Sequence, residues 1–190
     1  MRAARLLFAA AFAFASAPPP AAAAGCGALD GTYRAESVER TDGEPQRLAD
    51  LTFGPERRKL YRYEGATQGG GLAAPPARSK TKVTYLASTA VLAYAPGATR
   101  LRFMDAGGKL LAESRIDAPS PWECAGGRLV RRSQHTRGLG DSVRTERVEE
   151  SLERDGAGAL VHRAVATIVE GGHGTRTLVA HYPAAKPIAR

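Results

Sequence analysis

The chain is short of the residues that usually carry chemistry or staple a small fold. Its two cysteines are too few for a zinc cage built from thiolates or for a dense disulfide scaffold. It contains no H-E-x-x-H, no G-x-S-x-G and no G-K-[ST], which removes the common zinc-protease, nucleophile-elbow and phosphate-loop chemistries. No apolar run of about 18 residues follows the N-terminal segment, so no internal helix is expected to cross a bilayer. Gly69-Gly70-Gly71 lacks a following Lys-Ser/Thr and reads as a flexible loop rather than a phosphate cradle. What remains is a chain of 190 residues that is 43% hydrophobic, apolar enough to fold and the length of one domain.

Residues 1–24 read as a secretory signal. Arg2 and Arg5 supply the positive start, Leu6 to Ala15 the apolar stretch, and Ala22-Ala23-Ala24 the small residues that a peptidase needs. Pro18-Pro19-Pro20 would end any anchor helix here, and cleavage is expected after Ala24. Cys26 follows Ala23-Ala24-Gly25, which resembles the lipobox of bacterial lipoproteins, with Ala23 where Leu is usual; the alternative is therefore a lipid anchor on Cys26. Without lipid, Cys26 and Cys124 are the two thiols of an exported chain and are expected to pair. That bond would close a loop of about 98 residues and stabilise by about 4 kcal/mol on the chain-entropy estimate. The spacing is not C-x-x-C, so the bond reads as structural rather than redox-active.

Loss of residues 1–24 removes Arg2 and Arg5 and no acid, leaving +6, two fewer than the +8 of the whole chain. A basic exported protein is drawn to anionic headgroups or acidic polymers; its compartment argues against nucleic acid.

After residue 28 the chain is a series of short segments punctuated by turns. Gly31 to Glu39 reads as a first strand, Leu48, Leu51 and Phe53 as an apolar patch of undecided type, and Leu60 to Tyr63 as strand. A small-residue stretch near 64–82 reads as a flexible loop. Pro96-Gly97 and Gly107-Gly108, taken as two-residue turns, set Leu92 against Leu101 and Tyr94 against Thr99. They also place Phe103 between Ala90 and Ala112, and Arg102 opposite Glu113 with Arg100 beside them. Strands follow over 128–134, 160–169 and 175–182. The 143–153 segment is ambiguous, because Val148 and Leu152 are four apart among helix-forming Glu and Arg, and the D-G-x-G turn after it tips the reading to a hairpin. The expected class is all-β: an antiparallel meander of about 8 strands, forming a barrel or sandwich over residues 25–190.

Leu29-Asp30-Gly31-Thr32-Tyr33-Arg34 resembles the opening of lipocalin-like barrels, where Gly-x-Trp begins the first strand. Tyr33 stands where that family has Trp. The resemblance implies an aromatic plug at the closed end of a barrel and an interior cavity for an apolar ligand.

Histidines 135, 162, 173 and 181 are the candidates for metal or acid–base work. A three-residue Gly171-Gly172-His173 loop sets His162 against Tyr182, Ala164 against Ala180 and Ala166 against Leu178, with His181 on the other side beside Arg163. A two-residue Gly171-Gly172 turn would instead face His162 with His181, a pair still short of ligands for a metal. The first register gathers Leu160, Ala164, Ala166, Ile168, Leu178, Ala180 and Tyr182 on one face and is preferred. His162, Tyr182, Leu178 and Ala164 are the candidate ligand-facing residues; no catalytic, metal or cofactor residue is nominated. Arg128, Arg131, Arg132, Arg137, Arg144 and Arg147 lie near Glu146, Glu149, Glu150 and Glu153, and are expected to form cross-strand ion pairs on a solvated face.

These features lead us to expect an exported, periplasmic or secreted, non-enzymatic β-barrel that binds a small apolar or amphiphilic ligand or an anionic envelope component. No cofactor is implied. The alternative is a structural or interaction module of the cell envelope without a ligand cavity, anchored by lipid at Cys26; an enzyme with a dispersed site is a third reading.

Overall fold

Alternation of apolar and polar residues makes strands of nearly every segment between turns. The computed structural model describes residues 25–41, 45–51, 59–64, 82–116, 122–138 and 143–186. The expected signal segment, Phe53 and nearly all of the expected loop near 64–82 lie outside the described residues. Among those described there are twelve strands: β1 (Gly31–Arg34), β2 (Glu39–Arg40), β3 (Tyr61–Glu64), β4 (Lys82–Tyr85), β5 (Thr89–Ala93), β6 (Arg100–Met104), β7 (Leu110–Arg115), β8 (Glu123–Ala125), β9 (Arg128–Arg137), β10 (Arg144–Arg154), β11 (Leu160–Glu170) and β12 (Thr175–Tyr182). All pair antiparallel, as the sequence led us to expect. The strands form a six-stranded sheet in the order β2-β12-β11-β10-β9-β8, a four-stranded sheet in the order β1-β5-β6-β7, and the pair β3-β4. The sheets keep edges at β7 and β8 and do not close.

The stretch 31–40 stitches the two larger sheets together. On one side Gly31 to Arg34 pair with Leu92 to Thr89. On the other, Arg34 N–H donates to Pro183 O at 2.9 Å, Ala185 N–H to Thr32 O at 2.8 Å, and Val38 N–H to His181 O at 3.1 Å. The expected single strand over 31–39 is therefore two short strands, with the chain changing partners between them. Both sheets turn one face to a common core. Leu92, Leu101 and Phe103 from the smaller sheet meet Leu129, Leu152, Leu160 and Tyr182 from the larger, each at most 1% exposed. In β6 the alternation is complete: Leu101 and Phe103 point in while Arg100 and Arg102 point out and share Glu113.

One end of the core is covered by a 3₁₀ turn, Cys26–Leu29, packed against β5, β9 and β10. Cys26 is bonded to Cys124 of the edge strand β8, across 98 residues of chain with 5.8 Å between Cα atoms. Tyr33 fastens the turn to the sheet: its buried hydroxyl donates to Leu29 O at 2.6 Å. The Arg154 guanidinium lies 5.9 Å over the same ring and donates to Ala28 O at 3.2 Å.

The registers of β5–β6 and β6–β7 follow the sequence reading: Leu92 pairs with Leu101, Phe103 with Ala90 and Ala112, and Arg102 with Glu113. The second turn is wider than two residues. Asp105 Oδ1 accepts from the N–H groups of Gly107 and Lys109 at 2.9 and 3.0 Å, and a bulge after Phe103 absorbs the extra residue. The turn after β10 has the same construction, with Asp155 Oδ1 accepting from Ala157 and Ala159 at 2.9 and 2.8 Å. In both, the glycine three residues after the Asp takes positive φ, 80° at Gly108 and 83° at Gly158, where a Cβ would be strained.

The C-terminal hairpin departs from both anticipated loop lengths. Leu160 pairs with Tyr182, His162 with Ala180, Ala164 with Leu178 and Ala166 with Arg176. The register is shifted by two residues from the preferred one, because β11 runs on to Glu170 to pair with β10. A shift of two preserves which side chains share a face, so Leu160, Ala164, Ala166, Ile168, Leu178, Ala180 and Tyr182 do lie together. His162 joins them, while His181 pairs with Val161 and lies on the other face. The ambiguous 143–153 segment is strand from Arg144 onward, and Thr145 to Leu152 lie between β9 and β11.

Candidate functional site

The inward face of β9 to β12 is graded from apolar to charged along the strands. At the end near the 3₁₀ turn, Leu129, Leu152, Leu160, Ala180 and Tyr182 form solid core. The next row carries Arg131 and Glu150, in register with each other and with Ala164, and His162, level with Leu152 in the row before, reaches diagonally to Glu150. Arg131 donates to Glu150 Oε2 from Nε at 2.9 Å and from Nη2 at 2.6 Å. His162 Nε2 lies 3.2 Å from Glu150 Oε1, and because the carboxylate is an acceptor only, Nε2 bears the proton. Trp122 covers the Arg131 guanidinium at 4.7 Å. Burial pushes the Glu150 carboxyl up, but the His162 hydrogen bond and the Arg131 charge outweigh it, and the group titrates below the ordinary glutamate value. Among the described residues the side-chain polar contacts of Glu150 are with these two partners, so the trio closes the core as a neutralised ionic cluster rather than presenting an acid or base to solvent.

Beyond this row the face opens. Val148, Ala164, Ala166 and Leu178 floor a hollow of about 430 Å³, flanked by Arg40 and Arg176. The space exists because β11 places two alanines where longer side chains would fill it. Volumes of about 300 to 1,000 Å³ are typical of small-ligand sites. Arg176 also borders a second hollow of about 260 Å³, lined by Arg137, Arg144 and Glu146. Glu146 is nine-tenths buried and holds two of these arginines in place, Arg144 Nη2 at 2.6 Å on Oε1 and Arg176 Nη2 at 3.1 Å on Oε2. Thr145 beside it is buried too, donating to Glu170 Oε2 at 3.0 Å and accepting from Thr136 at 3.2 Å.

The four candidate ligand-facing residues thus share the inward face but separate in depth. Ala164 and Leu178 line the larger hollow. His162 and Tyr182 are 2% and 0% exposed and lie in the ionic cluster and the core. Burial drives the Tyr182 hydroxyl far above the ordinary tyrosine value, so it stays neutral. The expected solvated face of ion pairs is split. Arg132 and Glu149 pair on the exposed side at 2.9 Å, whereas Arg131, Glu150 and Glu146 are turned inward and buried or nearly so. Arg40, Arg176 and Glu146 were not anticipated as site residues. The parity of the last two would have found them, since Arg176 alternates in step with Leu178 and Ala180, and Glu146 with Val148 and Leu152.

Among the described residues, no group of three or more His, Cys, Asp and Glu could hold a metal ion, and no helix is long and apolar enough to cross a membrane. The disulfide occupies the sulfur that a lipid on Cys26 would need. Comparison with protein-family models, with curated proteins and with solved structures finds no match to this chain.

Proposed function

We propose that this is an exported, non-enzymatic binding protein whose ligand is apolar or amphiphilic and sits on the inward face of the larger sheet. The observation that carries the reading is the hollow of about 430 Å³ over Val148, Ala164, Ala166 and Leu178, an apolar floor left open at the end of an otherwise filled core. The signal pattern of residues 1–24 and a disulfide of the kind that persists in oxidising compartments support export to the periplasm or beyond. The Gly31-x-Tyr33 opening supports a lipocalin-like reading of the ligand class.

Native mass spectrometry of protein purified from an envelope extract tests both parts. The expected spectrum shows a chain that begins near Gly25, lacks two hydrogens and carries no lipid on Cys26, with a retained small molecule. That molecule is lost from an Ala164→Phe variant, whose ring fills the hollow while the core beneath is untouched. A ligand-free spectrum at every purification, with detergent-free extraction, would overturn the binding reading and leave the envelope interaction module. Retention of residues 1–24 would overturn export.

A further inference from the structure

The larger hollow is apolar, yet one wall of it, Arg176, is also a wall of the basic hollow next to it. An occupant long enough to cross that wall would lie with one end on alanine and valine and the other among guanidinium groups. The second hollow has three arginines, Arg137, Arg144 and Arg176, and one carboxylate, Glu146. Glu146 accepts one N–H of Arg176 and forms an ion pair with Arg144. A guanidinium carries five N–H donors in a planar fork, so most of the donor capacity of these two is left for another acceptor. The Arg137 guanidinium makes no hydrogen bond or ion pair among the described residues. The next carboxylate, Glu170, is held by Thr145. Three cations around one internal anion repel one another, and a bound oxyanion relieves that repulsion while meeting the fork geometry.

Building on the proposed binding function, we infer that the ligand is a single-chain amphiphile with an anionic head, a carboxylate or phosphate monoester. The head sits among Arg137, Arg144 and Arg176, and the chain lies over Ala164, Ala166 and Val148. Glu146 is the positioning residue: nine-tenths buried, it holds Arg176 at the border of the two hollows and Arg144 within the basic one. The arrangement selects against a cationic head, which would face uncompensated guanidinium charge, and gives an uncharged head no acceptor strong enough to displace water from it.

The test is a calorimetric titration of the mature, disulfide-bonded chain with decanoate, decyl phosphate, decanol, decyltrimethylammonium and inorganic phosphate, each below its micellar concentration. Decanoate and decyl phosphate are expected to bind about tenfold or more tightly than decanol, the scale of one charge-assisted hydrogen bond, with decyltrimethylammonium weakest and the anion preference shrinking as salt is raised. Arg137→Gln, which breaks no ion pair among the described residues, should remove most of that preference. Arg176→Gln provides a second variant, weakening anion binding further. Equal binding of decanoate, decanol and decyltrimethylammonium would overturn the anionic head while leaving the proposed function standing. Binding of none of the decyl compounds would overturn both. Inorganic phosphate binding as tightly as decyl phosphate would make the basic hollow a free-anion site and overturn the amphiphile.

Discussion

Arg131 sets two of its N–H groups on a single oxygen of Glu150, at 2.9 and 2.6 Å, and leaves the other oxygen to His162. A fork-to-fork pair would have used both oxygens for arginine. This arrangement spreads one carboxylate over two strands, β9 and β11, and ties both to β10.

The Glu150 carboxyl has a folded-state pKa below its unfolded one. Its contribution is therefore present in full above the unfolded value and is lost as pH falls through the folded value. Urea midpoints measured from pH 7 to pH 3 should drop below about pH 4.5, near the ordinary glutamate value. Glu150→Gln leaves Arg131 buried without its anion and should cost about 3–5 kcal/mol at pH 7, with a flatter acid limb. An unchanged acid limb in the variant would place the titration elsewhere.

Removing the Cys26–Cys124 bond releases a 98-residue loop in the unfolded chain. Cys26→Ser with Cys124→Ser should lower stability by about 4–5 kcal/mol, and reductant should bring the wild-type denaturation curve to that of the double variant. If reductant leaves the wild-type midpoint where it was, the bond does not stabilise the fold.

A Cβ on Gly31 would lie 3.1 Å from the Tyr33 hydroxyl oxygen and 3.2 Å from Cζ. The glycine of the Gly-x-Tyr opening thus makes room for the phenol that holds the 3₁₀ turn. Gly31→Ala should destabilise by about 1–3 kcal/mol. Tyr33→Phe, which strands the Leu29 carbonyl, should cost about 1–2 kcal/mol. In a Tyr33→Leu background the alanine should cost less than it does alone, a non-additivity that a double-mutant cycle reads directly.

Gly171 has φ 74°, and a Cβ there would lie 2.0 Å from the Val143 carbonyl oxygen. Gly171→Ala must push β10 and the loop after β11 apart at the end of the sheet that carries Arg144 and Glu146. A loss of about 1–3 kcal/mol is expected, together with weaker decanoate binding; a variant with wild-type stability and affinity would show that this contact does not set the site.

Much of the fold was legible in local patterns. The Leu92–Leu101 pairing followed from a short turn, which leaves little freedom in register, and the Arg102–Glu113 pairing came out as expected because a bulge after Phe103 absorbs the extra residue of the second turn. In the C-terminal hairpin the sequence reading missed the loop length by two yet assigned the faces correctly, because apolar alternation records parity and not offset. In β10 the helical look of Val148 and Leu152 came from Glu150 standing between them on the same strand face, with Glu146 on that face before them. Buried charges hide a two-residue period from any reading that expects charges outside.

The sequence by itself determined an antiparallel all-β chain and the face on which each C-terminal apolar residue lies, since each depends on alternation; counting thiols led to the expectation of a Cys26–Cys124 pair with a lipid on Cys26 as the alternative, and the structure shows the pair. The tertiary structure alone decided that the sheets stay open, that Arg131, Glu150 and Glu146 turn inward, and that Arg176 joins an apolar hollow to a basic one. A carboxylate can be buried only where cations reach it from other strands. For Glu150 that cation is 19 residues away; Glu146 has Arg144 two residues back on its own strand, and the cation that reaches it from another strand is 30 residues away, distances over which no local pattern carries information.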